Sequence, residues 1–183
     1  MLFLRRFLRD EQLDGTAAAV YASFASQARQ PAFYLDFGVP DTVDGRFEMV
    51  ALHAFLVFRR LKGQGNEIAR LTQAVYDIMF KEMDLALREL GAADLGVGRR
   101  IKHMTESLNG RIQVYEKALG APDDAELQAA LRRNLYGTVA IDDRHLAAMI
   151  AYIKATVADL ENQDVADLSA GKIRFPTPEQ FIL

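Results

Sequence analysis

Cysteine is absent from all 183 positions. That excludes disulfides, thiolate zinc sites and a cysteine nucleophile, and it fits a reducing compartment. Histidine is scarce: His53, His103 and His145 lie far apart and show no HExxH or paired-ligand spacing. No GxSxG, P-loop, Rossmann fingerprint or DDxxD cluster occurs. The Leu95-Gly96-Val97-Gly98 segment reads as a turn and not a phosphate loop, because no strand precedes it and no GK[ST] follows. Excess positive charge is lacking too. The formal net charge is −3, which argues against general nucleic-acid binding and against DNA as a partner. There is no repeat, low-complexity tract or strong strand pattern. These absences point away from catalysis, and they leave no metal or cofactor to expect.

What is present is helical patterning. Ala17, Val20, Tyr21, Phe24, Ala25 and Ala28 recur at i, i+3, i+4 spacing and predict a helix over 16–29. Pro31 ends it. A very apolar helix starts near Thr42 to Asp44, either of which can cap its free N–H groups. Phe47 to Phe58 are apolar nearly all round, so this helix belongs at the centre of the core. Arg59, Arg60 and Lys62 close it, where cations complement the helix dipole, and Gly63 and Gly65 break it. Further helices are expected over about 66–90 (capped by Asn66 and stopped by Gly91), 98–119, from Asp123 or Asp124 to Tyr136-Gly137, and from Asp142 to Leu160 with a register reaching Leu168. The fold class is therefore all-α: one compact bundle of about six helices spanning 1–183. A chain of this length buries roughly 70% of its extended-chain surface and needs no staple.

Both ends carry apolar residues. The segment 1–12, MLFLRRFLRDEQ, is basic and amphipathic. It is too short to span a bilayer, which takes about 20 apolar residues. It lacks the long apolar region and small-residue cleavage site of a secretory signal. It is expected to dock on the domain, the alternative being contact with an anionic membrane surface. The tail, 171–183, has two prolines and apolar residues that include Phe175, Phe181, Ile182 and Leu183, and is expected to lie extended across the domain or on a partner. The basic residues Arg99, Arg100, Lys102, Arg111 and Lys117 read first as a solvated face. The other reading is a contact for an acidic partner, membrane headgroups or ribosomal RNA.

The richest stretch is Arg29 to Leu61, RQPAFYLDFGVPDTVDGRFEMVALHAFLVFRRL. Pro31 and Pro40 fix φ, while Gly38 and Gly45 permit angles that other residues avoid. Phe33, Tyr34 and Phe37 can bury this segment against a scaffold. It is thus a shaped loop, suited either to recognition or to a structural corner holding a buried Asp–Arg pair. Asp36, Asp41 and Asp44 do not match an EF-hand loop and read as caps and arginine partners. If Arg46 is half of a buried pair, Arg46→Ala removes about 3–5 kcal/mol or disorders the loop. His53, between Leu52 and Ala54, reads as a hydrogen-bonded core histidine.

RQPAFY, GVPDTVDGRFEM and LHAFLVFRRL together resemble the central signature of the ubiquinol–cytochrome c chaperone family. The resemblance is strongest over Tyr21 to Leu61 and continues to about Leu160. It implies a non-catalytic assembly chaperone for respiratory complex III. The implied client is newly made cytochrome b, with the ribosome or the membrane surface as further contacts, and no small-molecule substrate. The implied location is the cytoplasm or the inner-membrane periphery. The chain has no long presequence of the mitochondrial kind, which fits a bacterial member or a trimmed chain. Candidate partner-binding residues are Arg29, Tyr34, Asp41, Thr42, Arg46, His53, Arg59 and Arg60. Two other readings stand beside this one: a helical enzyme or binding protein for an isoprenoid or quinone-like ligand, and a structural subunit of a respiratory complex.

Overall fold

The computed structural model describes residues 2–89, 94–137 and 139–182, with side chains from Glu11 onward and, in the fifth helix, from Gly96. Eight α-helices and no strand occur among the described residues. They are α1 (Leu2–Ala28), α2 (Pro31–Leu35), α3 (Val43–Leu61), α4 (Asn66–Glu89), α5 (Asp94–Leu119), α6 (Ala125–Asn134), α7 (Asp143–Glu161) and α8 (Val165–Ser169). A short 3-10 turn follows at Pro178–Phe181.

Helix α3 is the hub. It packs against α1, α4, α5 and α7. Thirteen of its residues are buried, from Gly45 round to Leu61, which is why its sequence lacks a polar face. The predicted stripe of α1, Ala17 to Ala28, is buried throughout and faces α3 and α4. Asp142 caps α7 by accepting from the Arg144 N–H at 2.9 Å.

Several boundaries differ from expectation. Pro31 does not simply end a helix; it occupies the first turn of α2, where its missing N–H costs nothing. Asn66 is the first residue of α4 and not its cap. Gly96 and Gly98 sit inside α5 and not in a turn. Val97 between them is fully buried, and that burial offsets the roughly 1 kcal/mol each helical glycine costs. Helix α6 ends at Asn134, before Tyr136. The register of α7 does not run on to Leu168. Asn162 ends it, and Asp164 caps the separate α8. The stop expected at Gly91 and the docking of the first ten side chains lie outside the described residues.

The tail lies on its own domain. Gly171, at φ +79°, turns so close to α1 that an added Cβ would stand 2.7 Å from the Ala19 Cβ. Gln163 then holds Arg174 at both main-chain atoms, each at 2.8 Å. Phe175 stacks edge-on with His53 at 5.7 Å, and Phe181 with Tyr152 at 5.8 Å.

Candidate partner-binding site

The corner between α2 and α3 is fixed from inside. Phe33, Phe37 and Val39 are buried. The Val39 N–H donates to Phe33 O at 3.1 Å, and Tyr136 Oη donates to Phe37 O at 3.1 Å. Thr42 caps α3 by accepting from the Gly45 N–H at 3.1 Å. Its own N–H donates to Pro40 O at 2.8 Å. Gly45 has no alternative here, because a Cβ at that position would lie 2.0 Å from Pro40 O. Much of the VPDTVDGRF run is thus explained by the corner's construction.

The charged side chains of this run point outward. Arg46 Nε donates to Asp41 Oδ1 at 2.6 Å, with both side chains more than half exposed. The expected buried pair is therefore an exposed one, and exposed pairs contribute little to stability. The hydrogen bonds from Arg46 hold the Asp41 carboxyl below its usual range. Arg100 reaches Asp44 at 2.7 Å, likewise on the surface. Leu35, the last residue of α2, is 79% exposed on the surface it shares with Arg144, His145 and Ile182.

Tyr34 is half-buried. Its hydroxyl donates to Ala28 O at 2.8 Å and its ring lies 6.0 Å from the Arg46 guanidinium carbon. Burial pushes its phenol up, with Arg46 and Arg29 opposing. Arg29 is exposed nearby. Arg29, Tyr34, Asp41 and Arg46 thus form one outward group at the corner.

Of the other four candidates, Thr42 lies exposed at the same corner but is used as a cap, and the remaining three sit elsewhere or inside. His53 is fully buried: Nδ1 lies 2.8 Å from Met49 O and Nε2 lies 2.7 Å from Tyr152 Oη. A carbonyl can only accept, so Nδ1 carries the proton and Nε2 accepts from the tyrosine. Tyr152 Oη accepts in turn from Gln27 Nε2 at 3.1 Å, and the same amide donates to Pro176 O at 3.2 Å. Burial lowers the His53 pKa to about 4, so the ring is neutral. Arg60 Nε donates to Leu160 O and its Nη2 to Gln163 O, both at 2.8 Å, tying α3 to the end of α7. Arg59 bridges Glu161 at 3.2 Å and Glu116 at 3.5 Å.

One pair went unread in the sequence. Glu48, 8% exposed on α3, takes two hydrogen bonds from Arg111 of α5 at 2.6 and 2.8 Å. Burial pushes the Glu48 carboxyl up, against those two bonds. The partners are 63 residues apart, and no local spacing announces them.

Among the described residues, no three His, Cys, Asp or Glu side chains gather as a metal site, and no helix is long and apolar enough to cross a membrane. A sequence model of the family described as ubiquinol-cytochrome C chaperone matches residues 35–175. The chain belongs to that family. It is a family of chaperones and not of catalysts, which sets aside the helical-enzyme reading. The crystal structure of the Cbp3 homolog from Brucella abortus superposes with a TM-score of 0.82 at 35% identity, covering 97% of this chain and 98% of that one. Protein CBP3, mitochondrial, of Saccharomyces cerevisiae is 29% identical over 150 residues, 80% of this chain and 44% of its own. Ubiquinol-cytochrome-c reductase complex assembly factor 1 of Xenopus laevis is 24% identical over 152 residues, 83% of this chain and 76% of its own. Against the human protein of that name the chain spans half of the relative's length. The family match begins at Leu35 and contains the whole corner from Asp36 to Arg46 as well as the hub helix α3.

Proposed function

We propose that this protein is an assembly chaperone for the ubiquinol–cytochrome c reductase complex, and that it binds newly made cytochrome b. The observation that carries this reading is the family match across residues 35–175, which runs through every helix from α3 to α8. Relatives matched over most of this chain are named as assembly factors for that complex. The structure supports a binding role in physical terms: a rigid corner presents Arg29, Tyr34, Asp41 and Arg46 as one outward group, and the short helix α2 that leads into it ends on the exposed Leu35. Apolar and charged groups held on a stiff scaffold suit recognition of an unassembled membrane subunit from the membrane surface.

The test places a photo-crosslinker at Arg46, whose exposed side chain leaves the fold's interior untouched. It is introduced into the full chain in native host cells that lack the unmodified copy. The expected result is a crosslink to cytochrome b before assembly, absent from the finished complex, with loss of the complex when the chain is deleted. Normal levels of the complex in the deletion strain would sink the assembly reading. A normal crosslink pattern without cytochrome b would sink the client assignment alone.

A further inference from the structure

Away from the corner, a trough of about 940 Å³ opens between the last turns of α3, the first half of α4 and the second half of α5. Its floor is apolar: Phe55, Phe58, Leu61, Tyr76 and Ile112. Its walls stand in solvent, with Lys62, Ala69, Gln113, Glu116 and Lys117 all exposed. At the α3–α4 turn, Gly63 and Gly65 leave the mouth open, with nothing within 4 Å of where a side chain would begin.

The shape selects the kind of occupant. Small-molecule sites enclose most of their ligand, and an open trough does not. Each wall supplies about two helical turns, from Phe55 to Lys62, Ala69 to Tyr76 and Asn109 to Lys117. At 1.5 Å per residue these walls are roughly 11–13 Å long. That length seats two side chains one turn apart on a single helix face, the anchor spacing by which amphipathic helices enter grooves.

Charge narrows it further. Three cations, Arg59, Lys62 and Lys117, line the trough against one carboxylate, Glu116, in a chain that is acidic overall. Arg59 is matched within the chain, its Nε 3.5 Å from the Glu116 carboxylate and its Nη1 donating to Glu161 at 3.2 Å, so the positive charge open to a partner lies at Lys62 and Lys117. Lys62 forms no ion pair among the described residues. Lys117 pairs with Glu126 at 3.0 Å, but that lysine side chain is 75% exposed. An exposed pair of this kind is readily exchanged for another carboxylate.

We propose that this trough docks a helix of a partner protein, one that presents two apolar side chains a turn apart with carboxylates beside them. The proposal rests on the trough alone and stands or falls separately from the assembly reading.

The test uses the full chain in native host cells with a photo-crosslinker at Gln113, an exposed wall residue. The crosslinked peptide is sequenced by mass spectrometry. The expected adduct is one segment of another polypeptide, with apolar residues at i, i+3 or i+4 spacing and Asp or Glu adjacent. Ala69→Trp fills the trough from an exposed position and lowers the yield roughly tenfold; Lys62→Glu lowers it several-fold by reversing the rim charge. Thermal melts check that each variant keeps the parent fold. If Ala69→Trp unfolds, Lys62→Glu decides alone, since its side chain supports nothing in the interior. A lipid adduct, an adduct to a second copy of this chain, or a segment without carboxylates overturns the proposal. So does a yield indifferent to the folded variants, or no adduct from a folded, probe-bearing chain.

Discussion

At the scale of single residues, His53 and Gly45 show how different the causes of a fixed position are. His53 is held neutral in the folded protein, with its pKa lowered from 6.5 to about 4 by burial. In the unfolded chain it protonates at the ordinary value. Below that value the unfolded state therefore binds the extra proton, and stability falls as the pH drops from 6.5 toward 4. The loss saturates at about 3 kcal/mol. In His53→Gln the urea midpoint is expected to be lower at neutral pH and to vary less between those limits. An equally steep acid loss in the variant would assign it to other groups. At Gly45 the constraint is steric. Gly45→Ala puts a methyl carbon 2.0 Å from Pro40 O, so either the cap or the corner gives way. A loss of about 3 kcal/mol or more in chemical denaturation is expected. Gly110→Ala, in the interior of α5 with open space around it, is expected to do the reverse, gaining up to about 1 kcal/mol.

At the scale of elements, α3 is tied to α5 by one nearly buried ion pair. Removing either Glu48 or Arg111 leaves the other charge in a site already short of water. Each single change to alanine is expected to cost about 3–5 kcal/mol, while Glu48→Leu with Arg111→Met recovers most of it. A double-mutant cycle in urea measures this, and additive losses would show that the pair is not the tie. The elements also mark where the sequence was readable. The stripe from Ala17 to Ala28, the Thr42 cap and the core histidine of α3 follow from residues within one or two turns of each other, and their periodicity or chemistry is local. The short helices α2 and α8 were not readable, since five residues carry no period. Nor was the helical state of Gly96 and Gly98, because tertiary burial of Val97 overrides their propensity. The candidate residues split on the same line. The sequence picks out a corner, but whether a polar side chain there points in or out depends on what packs behind it. Arg60 turned inward onto α7, while Arg46 and Asp41 turned out.

At the scale of the whole molecule, the segment after Gly171 closes the domain over its most polar interior spot. Phe175 covers His53, Phe181 lies against Tyr152, and the Gln27 amide joins Tyr152 to Pro176. Phe175 is half-buried, so Phe175→Ala is expected to cost roughly 1–2 kcal/mol, below the value for full burial of a phenylalanine. It should also let water reach His53, moving that ring's pKa from about 4 back toward 6.5. Titration of the imidazole by NMR reads this directly. A pKa unchanged in the variant would mean that the tail covers the ring without keeping it dry. The sequence showed that this tail was too apolar to be idle. It could not show which surface the tail lies on, because the residues beneath come from α1, α3 and α7.

The one-way chain through His53 has a practical consequence. Its Nδ1 proton is held by a helix carbonyl behind an aromatic cover, where bulk water and catalysing ions do not reach. That proton can trade places with deuterium only when the packing around it opens. A single imidazole resonance, followed after transfer to heavy water, therefore serves as a clock for the opening of the domain's centre.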